Sequence, residues 1–409
     1  MSAALTAASK LDSILHLNFQ KLSQEYPPLQ SFLQEGHIDF WNEDAVLTLT
    51  KAILKVYFAL ELCLPKNRLC PMVPNRVLYL DYVQKLLQST MDDFDNEKVT
   101  GLDIGTGASC IYPLLGCRLF SFSFLGTEID SSSYDAACSN VSDNHLEDKI
   151  RLENRCKTDA LLSSCPTGQE FTFVMCNPPF YGSDEELINY KDSLPNSVCT
   201  GNENEMITEG GEVEFARRIL RESKYRREIL WFTCLLGKKS SLADLIHDLR
   251  DEKIDNYGIY EIYAGKTKRW ILSWSFSNRR PPNHLIRPKF FSIPKLLPRK
   301  TLYEWNVTMD KQTFFDVLNG FLDNMNVQYS YLNYEKIVVF SNGISWSRKA
   351  RRTGKHQNPS QTSIKDGFRC TISYDNFKGQ SCWKEGNDYL VYESFCSTLH
   401  RKYKESYPS

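Results

Sequence analysis

No C-x-x-C pair occurs among the 13 cysteines of this 409-residue chain. An odd count without metal-ligand spacing argues against both a disulfide framework and a structural zinc site, and points to a reducing compartment, cytosol or nucleus. No uninterrupted apolar run reaches the about 18 residues that a membrane-spanning helix needs. The opening residues, MSAALTAASK, lack the charged and apolar blocks of a secretory signal. Net charge is −1, so total charge singles out no partner. Internal repeats are also absent.

What remains is a chain able to bury a real core, 42 % hydrophobic and 12 % aromatic, long enough for two domains. DSILHLNFQKLSQ and NEDAVLTLTKAILKVYF, within 12–62, place apolar residues at helical spacing, with Asn42, Glu43 and Asp44 suited to the start of the second helix. RLCPMVPNR (68–76) reads as a proline-broken connection, and 76–89 as a further helix. From residue 99 the pattern changes to strands alternating with helices: VTGLDIG, FSFLGTEID (122–130), DKIRLENR (148–155), EFTFVMC, then ILWFTCLL with a helix to about 253, and a closing pair at 257–263 and 269–277. This alternation predicts an open, mostly parallel sheet. The tract 265–300 holds ten Lys/Arg and no acid, and its five prolines after residue 280 predict a linker over 281–300. Beyond it, TLYEWNV, YEKIVVFS and FRCTISYD read as strands, and 310–325 and the C-terminal YLVYESFCSTLHRKYKES as helices, a separate α+β domain over 301–409.

Two motifs carry chemistry. In GLDIGTGAS, Gly105 and Gly107 follow a strand and let the backbone approach a ligand at a helix N-terminus, and Glu128 closes the next strand, placed for ribose hydroxyls. The pattern suits a nucleoside cofactor, NAD or S-adenosylmethionine; Cys110 in place of a third glycine leans away from NAD. The second motif is Asn177-Pro178-Pro179-Phe180. Two prolines end sheet pairing, because neither has an N–H to donate. A strand cap is the plain reading. The chemical one is a grip on an amine whose lone pair is delocalised: the Asn177 side-chain oxygen and the Pro178 carbonyl each accept one N–H, and Phe180 stacks on the base. No general base is needed before transfer, since the proton leaves afterwards.

DIGTGASCIYPLLG (103–116), TEID, KTDAL, CNPPF, TEGGEVEF, LGKKSSL and RWILSWSF, with LCPMVPNRVLYLDYV upstream, together resemble the U6 small nuclear RNA N6-adenosine methyltransferase family and its bacterial ribosomal-RNA relatives, over roughly residues 15–278. The resemblance implies a Rossmann-like class I S-adenosylmethionine-dependent methyltransferase domain (76–280) with a helical N-terminal RNA-binding extension (1–75). The smaller α+β C-terminal domain would be RNA-binding and similar to kinase-associated domains. It implies S-adenosyl-L-methionine as cofactor, structured RNA (U6) as partner, no metal, a monomer, and the nucleus as location, with the cytoplasm also open. Carried over by position, Arg76, Asp103, Gly105, Gly107, Glu128, Thr158 and Asn177 would hold the cofactor. Asn177, Pro178, Pro179 and Phe180 would hold the target adenine. Asp159 is either an adenine contact or a helix cap. Lys157 (in a loop that gates the pocket in this family), Lys238, Lys239, Lys266, Arg269, Arg348, Lys349, Arg351 and Arg352 would grip RNA; a solvated basic face is the alternative. The long loop 183–210 would be a lid. A protein glutamine methyltransferase shares the Asn-Pro-Pro-aromatic grip and stays open, as does an RNA-binding module with a vestigial site; the basic tract favours RNA, and the intact motifs favour an enzyme.

Overall fold

In the computed structural model, the described residues are 7–162, 170–179, 181–182, 203–264, 267–346 and 367–407. They fall into two compact units, residues 1–87 with 93–276, and 88–92 with 277–409.

The first unit opens with helices α1 (Ala7–Leu15), α2 (Phe19–Glu25) and α3 (Glu43–Phe58), with a two-residue hairpin, β1 (Leu33–Gln34) and β2 (His37–Ile38), before α3. The periodicity over 12–24 runs straight on, yet the helix breaks there. Asn18 takes extended backbone angles and its side chain accepts the Lys21 amide, starting a new helix. Asn42 caps α3 in the same way through the Ala45 amide. Helix α4 (Val73–Thr90) begins three residues earlier than the prolines suggest. Pro74 sits in its first turn, where the missing N–H has no intrahelical partner to lose.

The sheet has strands β3 (Thr100–Ile104), β4 (Ser123–Glu128), β5 (Ile150–Asn154), β6 (Phe173–Cys176), β7 (Trp231–Leu236), β8 (Tyr257–Ala264) and β9 (Thr267–Trp274). Their order is β5-β4-β3-β6-β7-β9-β8, parallel from β5 to β7 and antiparallel at β9. β3, β6 and β7 are buried along their whole length, which is why they read as continuous apolar runs. Helices α5 (Ile111–Phe120), α6 (Ser131–Asp143), a short α7 (Glu203–Met206), α8 (Gly211–Ser223) and α9 (Lys239–Asp251) complete the unit. Helix α4 is fastened to the sheet through Tyr82, whose hydroxyl lies 2.7 Å from Ser273 Oγ.

From β3 the chain runs to β4 and β5 on one side, then returns to β6 and β7 on the other. The ends of β3 and β6 therefore flank a switch point, where such sheets bind ligands.

The second unit is an antiparallel sheet of order β10-β14-β13-β12-β11, with strands β10 (Leu302–Asn306), β11 (Gln328–Asn333), β12 (Lys336–Ser341), β13 (Phe368–Asp375) and β14 (Lys378–Gly386). Helices α11 (Lys311–Met325) and α12 (Tyr389–Ser406) supply Phe314, Leu318, Leu322, Tyr392, Phe395 and Leu399 to a core shared with Phe368, Ile372 and Trp383. Two departures from expectation stand out. β11 and β14 carry little apolar alternation; β14 exists because β10 and β13 pair with it on both sides. The stretch 281–300 is no free linker: it contains helix α10 (Asn283–Ile286) and buries Leu285, Ile286, Phe291 and Leu296. The boundary therefore falls near Ser277. Residues 88–92, expected inside the methyltransferase domain, group with this unit, where Asp92 pairs with Arg279 at 2.6 Å and Arg369 at 3.1 Å.

Candidate active site

Between the ends of β3 and β6 lies a cavity of about 380 Å³. Its floor is the turn after β3. Gly105 and Gly107 have φ of +70° and +67°, a region that residues with a Cβ enter only under strain. Thr106 N donates to the Thr127 carbonyl at 2.9 Å, holding the turn against β4.

Glu128 lines the cavity at the end of β4. Its Oε2 accepts the Gly107 amide at 2.9 Å, and Oε1 accepts Ile129 N (2.8 Å) and Asp130 N (3.0 Å). A carboxylate offers about four lone-pair directions. One on Oε2 remains for a diol hydroxyl, so the residue that shapes the glycine turn is also equipped to bind a ribose.

Asp103 lies behind the turn rather than on the cavity surface; it is 1 % exposed, and neither carboxylate oxygen has a well-formed hydrogen bond. Burial pushes its carboxyl up to about 7, against the opposing pull of the Thr106 side chain and the Arg76 guanidinium. Arg76, from α4, lines the cavity and donates through Nη1 to the Tyr112 hydroxyl at 2.8 Å. Its Nε is buried without a partner. Burial pushes the Tyr112 hydroxyl up to about 12, so it stays a neutral acceptor.

Asn177 follows β6 and lines the cavity, with its Oδ1 buried and without a partner. A buried amide oxygen left unsatisfied costs about 1–3 kcal/mol. Among the described residues nothing donates to it, so it stands as a free acceptor for an incoming N–H. Pro179 lines the cavity and Pro178 is buried beside it. Phe180 lies outside the described residues, as do Lys266, Arg348, Lys349, Arg351, Arg352 and residues 183–202 of the expected lid.

The loop after β5 forms another wall through Cys156, Lys157, Asp159, Ala160 and Leu161. Thr158 is exposed and is not among the residues that line the cavity. Asp159 caps a turn, accepting the Cys156 amide at 2.8 Å. Lys238 and Lys239 begin α9 away from the cavity. The Lys238 amide is held by Glu212 Oε1 at 2.9 Å, and its ammonium lies 5.8 Å from the Tyr181 ring. Arg269 is half-buried on β9.

Cavity residues that sequence reasoning passed over include Tyr112, Arg155, Glu205, Arg218 and Arg221. Glu205 accepts the Leu69 amide at 3.0 Å, from residues 136 apart in the chain. Glu205 and Arg218 meet backbone groups distant in sequence, and no local pattern marks them.

The glycine cradle, the spare acceptor capacity of Glu128 and the orphaned Asn177 oxygen fit a nucleoside-bearing methyl donor and an amine acceptor. Comparisons with known proteins agree. A family model described as RNA methyltransferase matches residues 13–278. The U6 small nuclear RNA (adenine-(43)-N(6))-methyltransferase of Schizosaccharomyces pombe is 48 % identical over 384 residues, 93 % of this chain and 99 % of that protein. The human RNA N(6)-adenosine-methyltransferase METTL16 is 37 % identical over 275 residues, 63 % of this chain and 48 % of its own length, so this chain spans about half of it. The crystal structure of the human Mettl16 catalytic domain in complex with MAT2A 3'UTR hairpin 1 superposes with a TM-score of 0.58 at 36 % identity, covering 64 % of this chain and 91 % of that one. The human METTL16 N-terminal domain in complex with SAH gives a TM-score of 0.52 at 34 % identity, covering 64 % and 94 %.

Proposed function

The chain belongs to the RNA methyltransferase family matched over residues 13–278, and on that premise we propose that it methylates adenine N6 in U6 small nuclear RNA, using S-adenosyl-L-methionine. It is an RNA N6-adenosine methyltransferase by its kinship with the fission-yeast enzyme along almost the whole of both chains. The observation that carries the catalytic reading is the buried, partnerless Asn177 Oδ1 at the cavity wall.

When bound, the cofactor supplies an electrophilic methyl group. Gly105 and Gly107 would cradle it, Glu128 would take its ribose, and the Arg76 guanidinium would meet its carboxylate. The chain's own work is on the acceptor. Asn177 Oδ1 takes one N–H of the adenine amine and the Pro178 carbonyl the other. Both bonds strengthen as the nitrogen turns tetrahedral and gains positive charge, so they favour the transition state over the ground state. No base is required for the amine proton before transfer, because the nitrogen becomes acidic only afterwards. The reading therefore asks for no metal. One chain carries the cavity and the basic tracts, so it asks for no second copy either. On this reading the protein would act in the nucleus, in support of pre-mRNA splicing.

The test is incubation of the full-length protein with labelled S-adenosylmethionine and either U6 transcript or protein extract. Label should enter N6-methyladenosine of the transcript. Label confined to protein would turn the assignment to the glutamine methyltransferase alternative. No transfer to either would turn it to a binding module.

A further inference from the structure

Helix α8 lays two side chains, one turn apart, along the loop that follows β5. Arg218 Nη1 donates to the Lys157 carbonyl at 3.3 Å, and Nη2 donates to the Asp159 carbonyl. Arg218 Nε reaches Glu222 Oε1 at 3.2 Å, and Glu222 Oε2 accepts the Leu162 amide at 2.8 Å. Both ends of the stretch 157–162 are thus tied to a single helical turn. Within the stretch, Asp159 N donates to the Cys156 carbonyl at 3.0 Å, and Arg155 Nη1 donates to the Ala160 carbonyl at 3.1 Å.

Arg226 Nη1 adds a bond to the Leu162 carbonyl at 2.7 Å, and the tethers matter because packing contributes little to the loop. Residues 156–160 are exposed, and Leu162 is the first buried residue after them. With almost no apolar burial to fix its path, the loop has low local stability unless polar bonds hold it. Yet Lys157, Asp159, Ala160 and Leu161 form one wall of the cavity. The guanidinium bonds go to backbone carbonyls, so they specify the course of the chain rather than the identity of its side chains. A planar fork with five donors is suited to span two carbonyls and a carboxylate at once; an ammonium is not.

We infer that Arg218 and Glu222 are positioning residues for the methyl donor: they act through the loop 157–162, holding it as the cavity wall against which the cofactor binds. The inference rests on the methyltransferase reading above. The wall is upright while the latch is closed. Opening the latch makes binding bear the entropy of ordering the loop, which weakens affinity without touching the amine grip at Asn177.

The experiment is calorimetric titration of the full-length protein with S-adenosylhomocysteine, comparing wild type with Arg218→Ala, Arg218→Lys and Glu222→Ala. Losing a pair of charge-assisted bonds of this kind should raise the dissociation constant by roughly tenfold for Arg218→Ala. Glu222→Ala should move in the same direction. Arg218→Lys should fall between, since an ammonium reaches one carbonyl. In turnover assays KM for the methyl donor should rise by more than kcat falls, and RNA affinity should hold. Wild-type affinity in both alanine variants would overturn the latch. Weakened RNA binding in step with cofactor binding would also overturn it, marking a general loss of structure. Should Arg218→Ala fail to fold, Arg218→Lys carries the test alone, and unchanged affinity there overturns the role of the fork. Failure of the wild-type protein to bind S-adenosylhomocysteine would strike the methyltransferase reading instead.

Discussion

The Tyr79 hydroxyl lies 2.8 Å from Thr233 Oγ1, linking helix α4 to strand β7 beneath the end of β6. Thr233 gives its own proton to the Val174 carbonyl at 2.9 Å, so Tyr79 is the donor between them. The same hydroxyl is 3.4 Å from the carbonyl of Cys176, the residue before Asn177. That proton is spent on Thr233, so the tie runs from helix α4, which also delivers Arg76, to the strand that pairs with β6. Tyr79→Phe should lose about 1 kcal/mol of stability, the net worth of one buried hydrogen bond. Urea denaturation measures it. A loss of several kcal/mol would mean that the ring packing, rather than the hydroxyl, had been disturbed.

Asn177→Ala removes an acceptor whose bond strengthens in the transition state. The rate should fall by roughly 10²–10³-fold, as when one oxyanion-hole donor is deleted. RNA affinity should change little, because the contact is to a single amine. Single-turnover kinetics with saturating RNA decide it; near wild-type turnover would remove Asn177 from the mechanism.

Asp103 predicts a pH dependence of stability. Its carboxyl stands at about 7 in the folded protein because of burial, against about 3.9 in an unfolded chain. Between those values the folded state holds a proton that the unfolded state has released. Stability from this group therefore declines as pH rises from about 4 to about 7, and the decline is complete above that. Asp103→Asn should gain on wild type across this window. Unfolding free energies of the two proteins at a series of pH values give the comparison, and a difference independent of pH would show that Asp103 titrates normally.

The C-terminal unit carries Lys289, Lys295, Arg299 and Lys300, together with the basic segment that holds Arg348, Lys349, Arg351 and Arg352. A cut near residue 288 would leave Leu285 and Ile286 stripped of their packing; the cut belongs after Phe276. The similar human structures, a catalytic domain with an RNA hairpin and an N-terminal domain with SAH, each match 64 % of this chain. Residues 1–276 should thus still methylate at saturating RNA, with weaker binding and a shallower salt dependence. Each phosphate that the shortened protein no longer neutralises should flatten the slope of log affinity against log salt by about 0.7–0.9. Binding measured from about 50 to 200 mM salt tests this, and equal slopes would show that the appended unit does not touch RNA.

The sequence by itself determined the succession of the seven strands in the first unit's main sheet, the glycine turn, the acid that closes the next strand and the amide at the end of β6. These are local signals. Apolar runs mark strands buried on both faces, φ values near +70° at Gly105 and Gly107 suit glycine, and two prolines stop a ladder. Tertiary structure alone decided what surrounds them. Whether the stretch 281–300 is a linker depended on whether anything covered Leu285, Ile286, Phe291 and Leu296, and a core is a property of the assembled unit. β14 is a strand because β10 and β13 satisfy its backbone on both sides. Asp103 is raised because the fold removes water from it. Arg218 finds carbonyls roughly sixty residues back in the chain. Every chain position carries the same carbonyl, so only the folded path selects which one an arginine will meet.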